Sequence, residues 1–321
     1  MRELTVRSIS LNRRSLTMWN RWHIYASFII TGCIISLIPH PVQADSNKCH
    51  REFADSAVIG KNRVININSI KGNLNITCWS RQEVWVKTRI TFINGDSGIA
   101  RKELEYARFN FLKTVFGINI SNYFSLPPGI EKIQSIVKVD YQVCLPEKVA
   151  VVINNEYGSC AINNLDAFVN LNNKYGDIVL NEIKGQFRIF ATLCDIQMKG
   201  FSGNFELYSA NSDVFLKDFN GLVKVDNKVG TIFLEPGKDL EHLDVNSTHS
   251  KVDLVISDLA RFNYELIAEN ATVELDPAFR HFQWQISSTE KMVYHPGGTY
   301  RGIDIITTYN SINLSQNDKN Y

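Results

Sequence analysis

Beyond Ile38 the chain has no apolar run approaching the roughly 20 residues that a membrane-spanning helix needs. Nor is there an excess of either charge, with 34 Lys and Arg against 33 Asp and Glu. The absence of a basic stripe excludes nucleic acid and anionic membrane surfaces as partners. No Cys-x-x-Cys or Cys/His spacing suggests zinc. The seven histidines are scattered, without the spacing to Ser or Cys that a nucleophilic triad would show. Also missing are the Gly-Gly-x-Gly-x-Asp nonapeptides of calcium-binding β-rolls. The sequence predicts no enzyme, no cofactor and no metal.

What the chain does have is a repeat. Ten apolar-x-apolar pairs recur every nine residues from Val151/Ile153 through Cys160/Ile162 and Val169/Leu171 to Ile232/Leu234. A spacing of two points both side chains to one face of a β-strand, so nine residues make one short strand and one turn. Leu165, Ile183, Phe201 and Phe219 recur every eighteen, as do Ala167, Gly185, Gly203 and Gly221. The predicted fold is therefore all-β, a parallel β-solenoid or β-roll with coils of about 18 residues built from two unlike nine-residue halves. One coil buries too little to fold alone, and stacking supplies the stability.

The step continues less regularly on both sides. Ile65/Ile67 with Leu74/Ile76 and Phe109/Phe111 with Ile118/Ile120 keep it near the start, and Val273/Leu275 with Phe282/Trp284 and Ile303/Ile305 with Ile312/Leu314 keep it near the end. Between Leu234 and Leu243 two residues are inserted. The reading is one elongated domain: residues 45–128 form an N-terminal β-rich part, and 129–321 the regular array with its end coils. Asp96-Ser97 predicts a short helix over Gly98 to Ala107.

Residues 1–44 read as an export signal. Arg2, Arg7, Arg13, Arg14 and Arg21 precede the apolar run Ile24 to Ile38, and Val42-Gln43-Ala44 has the small-residue pattern of a cleavage site after Ala44. An uncleaved anchor and lipidation at Cys33 are the rivals. Cleavage leaves 29 basic and 32 acidic residues, a net charge of −3, and no later membrane span. It also leaves five cysteines, an odd number. Cys160 holds an inward position, and Cys49, Cys78 and Cys144 would supply one bridge of open pairing.

Two sets of residues are candidates for function. Asp177, Asp195 and Asp213 recur every eighteen residues, with Ser159 and Thr231 continuing the row. Stacked on one edge, they would form either a solvated turn row, a cation site, or the carboxylates of a polysaccharide-acting β-helix enzyme. On the outer surface Ala161, Val179, Gln197, Phe215 and Phe233 form one row, and Phe190 and Tyr208 lie on the other face. Such rows are either covered by residues 98–116 or the C-terminal segment, or they meet an unknown protein or glycan.

The stretches Val139-Asp140-Tyr141-Gln142-Val143-Cys144-Leu145-Pro146-Glu147, Asn154-Asn155-Glu156-Tyr157-Gly158 and Asn172-Asn173-Lys174-Tyr175-Gly176-Asp177-Ile178 resemble the putative-adhesin domain family, especially its Bacteroidetes members. Lys71-Gly72-Asn73-Leu74 and Thr308-Tyr309-Asn310-Ser311 carry the likeness to both ends, over residues 60–315. It implies an exported, non-enzymatic β-solenoid of the cell envelope, in the periplasm, on the surface or secreted, and it carries over no catalytic or binding residue. The chain departs from the family pattern at Leu193-Cys194 and Asn211-Ser212, where Tyr-Gly is expected. A periplasmic stress-sensing partner is the second reading.

Overall fold

The repeat is the register of the sheet. In a computed structural model, which describes residues 47–60, 63–276, 280, 282–296 and 301–317, β10 (Asp166–Lys174) pairs parallel with β11 (Ile178–Thr192). Each residue lies beside the one eighteen later, as in Val169 with Phe187 and Leu171 with Ile189. The same offset joins β11 to β12 (Ile196–Ala210) and β12 to β13 (Val214–Ile256). The preceding strands β8 (Ala150–Glu156) and β9 (Cys160–Asn163) start the series. All twenty residues of the nine-residue series are buried, and so are Leu165, Ile183, Phe201 and Phe219. Phe201 meets Phe205 at 5.4 Å and Phe187 edge-on at 6.1 Å, so the eighteen-residue series fills a corner of the core.

Toward the ends, the expectation of an all-parallel array is corrected: the chain is all-β, and its sheet is mixed. At the start, β4 (Glu83–Ile93) runs antiparallel to both β1 (Lys48–Val58) and β7 (Ile136–Pro146). The strands β5 (Ala107–Lys113) and β6 (Gly117–Phe124) form a hairpin in which Phe111 opposes Ile120. Phe109/Phe111 and Ile118/Ile120 thus lie on the two antiparallel strands of a hairpin rather than in two halves of a coil. Near the end, β16 (Gln283–Ile286) and β17 (Thr289–Tyr294) pair antiparallel, and β17 does the same with β14 (Asn263–Glu269). Trp284 accordingly leaves the inward series and is exposed. The physical reason is that a stacked array has an open row of N–H and C=O groups at each end, which antiparallel strands cover.

Both ends are also built out of chain order. The segment β2 (Val64–Ile70) lies between β6 and β8, and β3 (Gly72–Trp79) between β7 and β9, all in parallel pairing. At the other end β18 (Gly302–Thr308) is inserted between residues 242–248 of β13 and β14, and β19 (Ile312–Gln316) between residues 252–256 of β13 and β15 (Val273–Leu275). The insertion after Leu234 falls at a corner, where Asn220 accepts a hydrogen bond from Asp239 N at 2.8 Å and Leu240 turns into the core.

The helix α1 (Ser97–Leu104) is shorter than the sequence predicts. Asp96 Oδ1 accepts from Gly98 N at 2.7 Å, which starts it, and Ala107 already begins β5. Glu103 is buried on its inner face and accepts from Gln134 N and Ser135 N. Burial acts to raise its carboxyl pKa, but those donors hold it below the ordinary range.

A line of small side chains, polar except at Ala191, follows the two inward apolar positions of the rows: Ser69, Asn155, Asn173, Ala191, Ser209, Asn227, Ser247 and Thr307, all buried. Asn155 Nδ2 donates to Asn173 Oδ1 at 2.8 Å, Ser209 Oγ to Asn227 Oδ1 at 2.7 Å, and Ser247 Oγ to Thr307 Oγ1 lies at 2.8 Å. Buried amides and hydroxyls are tolerated where neighbouring rows supply their partners, as they do for most of this line; Asn155 Oδ1 is an exception. The five described cysteines are all unbridged. Burial pushes the Cys160 thiol up to about 12, so almost none of it is thiolate at neutral pH. Iodoacetamide at pH 8 is therefore expected to leave Cys160 unmodified in the native protein and to alkylate it after denaturation. Peptide mass mapping that finds Cys160 alkylated at the rate of a free thiol before denaturation would overturn this placement.

Candidate functional site

Period-two alternation that buries one set of side chains aims the intervening set outward, and the parallel register lines these up from row to row. Val179 lies between Ala161 and Gln197, and Gln197 lies beside Phe215. Phe215 stacks on Phe233 with ring centres 4.6 Å apart and planes 7° from parallel. Separately, Phe190 lies beside Tyr208, at 5.2 Å and 13°. Phe190 is 41% exposed, whereas Val179, Tyr208, Phe215 and Phe233 are half-buried. Of the two segments expected to cover these rows, α1 packs on β1 and β4, and the described C-terminal strands β18 and β19 extend the sheet.

The row of Phe190 and Tyr208 continues as amides. Asn172 is the register neighbour of Phe190, Asn154 of Asn172, and Asn68 of Asn154, with Ser121 beyond. Asn154 Nδ2 donates to Asn68 Oδ1 at 3.0 Å. This amide stretch forms the floor of an open cleft of about 450 Å³, walled in part by Tyr123, Glu156 and Lys174. Charges beside the row are matched in pairs. Lys174 lies 3.5 Å from Glu156, Arg188 2.8 Å from Glu206, and Lys224 3.6 Å from Asp226. The hydrogen bond from Arg188 holds the Glu206 carboxyl below the ordinary carboxylate range. Lys224 also sits over the Tyr208 ring at 6.0 Å.

Asp177, Asp195 and Asp213 are exposed at successive turns. Their backbone carbonyls accept from Cys160 N, Ile178 N and Ile196 N of the preceding row. Asp213 Oδ1 accepts from both Thr231 N and Thr231 Oγ1 at 2.8 Å, a bond that fastens one turn to the next. Among the described residues no group of three or more His, Cys, Asp or Glu is placed to hold a metal ion.

Sequence reasoning missed a third outward row. Tyr157, Tyr175, Leu193, Asn211 and Val229 occupy one corner of five successive rows, each with φ between 53° and 65°. Tyr157 and Tyr175 stack at 4.8 Å and 4°. The signal was the Tyr-Gly step: the first residue takes the left-handed corner and the second must be small. At Leu193-Cys194 and Asn211-Ser212 that small position keeps its place through side-chain bonds, Cys194 Sγ to Thr192 O at 3.2 Å and Ser212 Oγ to Ala210 O at 3.0 Å. The departures from Tyr-Gly thus preserve the corner.

Fold and surface define an all-β protein of mixed sheet that displays stacked aromatic rings and amides in straight outward rows. No family model matches its sequence, and no curated protein does. Among solved structures it is similar to a putative lipid binding protein of Parabacteroides distasonis, at 14% identity over 84% of this chain and 98% of the other, with a TM-score of 0.41. It is also similar to a putative cell adhesion protein of Clostridium sporogenes, at 10% identity over 83% and 100% with a TM-score of 0.27. A putative adhesin of P. distasonis shares 9% identity over 83% and 97%, with a TM-score of 0.32. TM-scores below 0.5 decide neither ligand nor role. No helix among the described residues is long and apolar enough to cross a membrane. The export signal, its cleavage after Ala44 and the alternative at Cys33 lie outside the described residues.

Proposed function

We propose that this chain is an exported, non-enzymatic β-solenoid of the bacterial cell envelope, which acts as a surface-interaction protein of adhesin type. The observation that carries this reading is the pair of outward aromatic stacks, Phe190 on Tyr208 and Phe215 on Phe233, held in register by a buried core that spans every row. Large rings kept in contact with solvent lose the burial that would stabilise them elsewhere, and contiguous ones mark interaction sites. Parallel rows make such a surface rigid, so little is lost in ordering it on binding. Export is supported by the basic, then apolar, then small-residue pattern of residues 1–44.

The test is protease shaving of intact cells that express the full chain, with a periplasmic protein as control and detection of the region after Asp45. Digestion from outside is the expected result. Protection until the outer membrane is opened would overturn the surface role and favour a periplasmic partner.

A further inference from the structure

We infer that the outer edge of β1 is a dimerisation site, at which two copies of this chain pair antiparallel about a two-fold axis. This goes beyond the proposed surface role and does not depend on it. β1 runs beside β4 without a break, from Lys48 opposite Ile93 to Val58 opposite Glu83, and among the described residues no strand pairs with its other edge. An open edge presents backbone N–H and C=O groups that a further strand can take up. Edges that stay single are commonly blunted by proline, by a bulge or by shortness. β1 has none of these: it is eleven residues long, regular in register and free of proline.

The sequence of β1 selects a second copy as the occupant. A two-fold contact sets residue i against j and j against i, so the strand has to complement its own reverse. With the strand wholly overlapped, Lys48 lies opposite Val58 and Phe53 opposite its own copy. Arg51 then faces Asp55 on both sides of the axis, while His50 meets Ser56 and Glu52 meets Ala54. Two opposite charges are paired and no like charges oppose each other, which is the favourable case for cross-strand neighbours. Other registers that keep inward residues beside inward ones do worse. Centring on Arg51, Glu52 or Asp55 sets that charge against its own copy, and centring on Ala54 forms no charge pair. The groups involved are within reach of a partner. Asp55 is exposed, and Arg51 bonds Glu105 through Nη2 at 2.9 Å with further N–H groups to offer. Glu52, which gains no charge partner in the dimer, is already matched by Lys87 and Arg89. At the axis Phe53 stacks on Phe109 at 5.3 Å, so an apolar centre lies between the two charge pairs.

The experiment is sedimentation velocity of the signal-less chain (residues 45–321) from about 1 to about 100 µM. A dimer whose share grows with concentration is expected. Asp55→Lys opposes two cations and Arg51→Asp two carboxylates, each twice in a symmetric pair, so either variant alone should dimerise about tenfold more weakly or worse. Mixed in equal amounts, the two variants should recover the dimer, because one chain then supplies both cations and the other both carboxylates. Recovery on mixing also shows that both variants are folded, and circular dichroism melts close to that of the wild type should agree. A wild-type chain that stays monomeric throughout, single variants that dimerise as well as the wild type, or a mixture that recovers nothing would overturn the inference. Each of these results leaves the answer of the shaving experiment standing.

Discussion

Truncation after residue 300 is expected to unravel the C-terminal part of the sheet while leaving the central rows folded. The lost segment is no dangling end: β18 and β19 are paired in parallel on both sides. Ile303, Ile305, Ile312 and Leu314 are buried within it. At about 1.5–3 kcal/mol for each large apolar side chain, their removal costs about 6–12 kcal/mol, the size of a whole domain's net stability. It also opens two rows of backbone N–H and C=O groups that faced each other across the missing strands. Because each row contacts only its neighbours, damage at one end does not propagate along the array. Limited proteolysis of the truncated chain should therefore yield a resistant fragment ending near Ile256. A single cooperative melt at the full-length temperature would refute the structural role of this inserted tier.

Gly203→Ala is expected to lower the melting temperature by about 5–15 °C, as a loss of about 2–5 kcal/mol. Gly203 lies between Gly185 and Gly221 in register, and its φ of 136° is one that only glycine adopts readily. A methyl group there would press into the Gly185 carbonyl of the neighbouring row, and backbone cannot swing aside as a side chain would. Gly95→Ala is the control, because a methyl at that position meets nothing within 4 Å. Thermal unfolding followed by circular dichroism decides the matter. A Gly203 variant that melts with the wild type would mean that the rows are not in such close contact.

Much of the candidate site was legible in the sequence. Phe190 and Tyr208 stand eighteen residues apart, as do Phe215 and Phe233, and any residue between two inward ones points outward. What the repeat concealed was their setting. Asn68 lies 86 residues before Asn154, and only the placement of β2 beside β8 makes it part of the same row. The ridge from Tyr157 to Val229 was hidden because its defining property is a left-handed backbone. That property is shared by Tyr, Leu, Asn and Val here, although β-branched residues rarely adopt it.

The sequence by itself determined the local rule: which residues face in, where each nine-residue strand turns, and that rows eighteen apart lie side by side. Those are consequences of a period of two and of apolar burial, which act within a few residues. Only the tertiary structure decided how the array ends, with antiparallel strands over both outer rows and β2–β3 and β18–β19 inserted out of order. Exposed backbone edges have to be paired by whatever chain is within reach, and no periodicity records that choice.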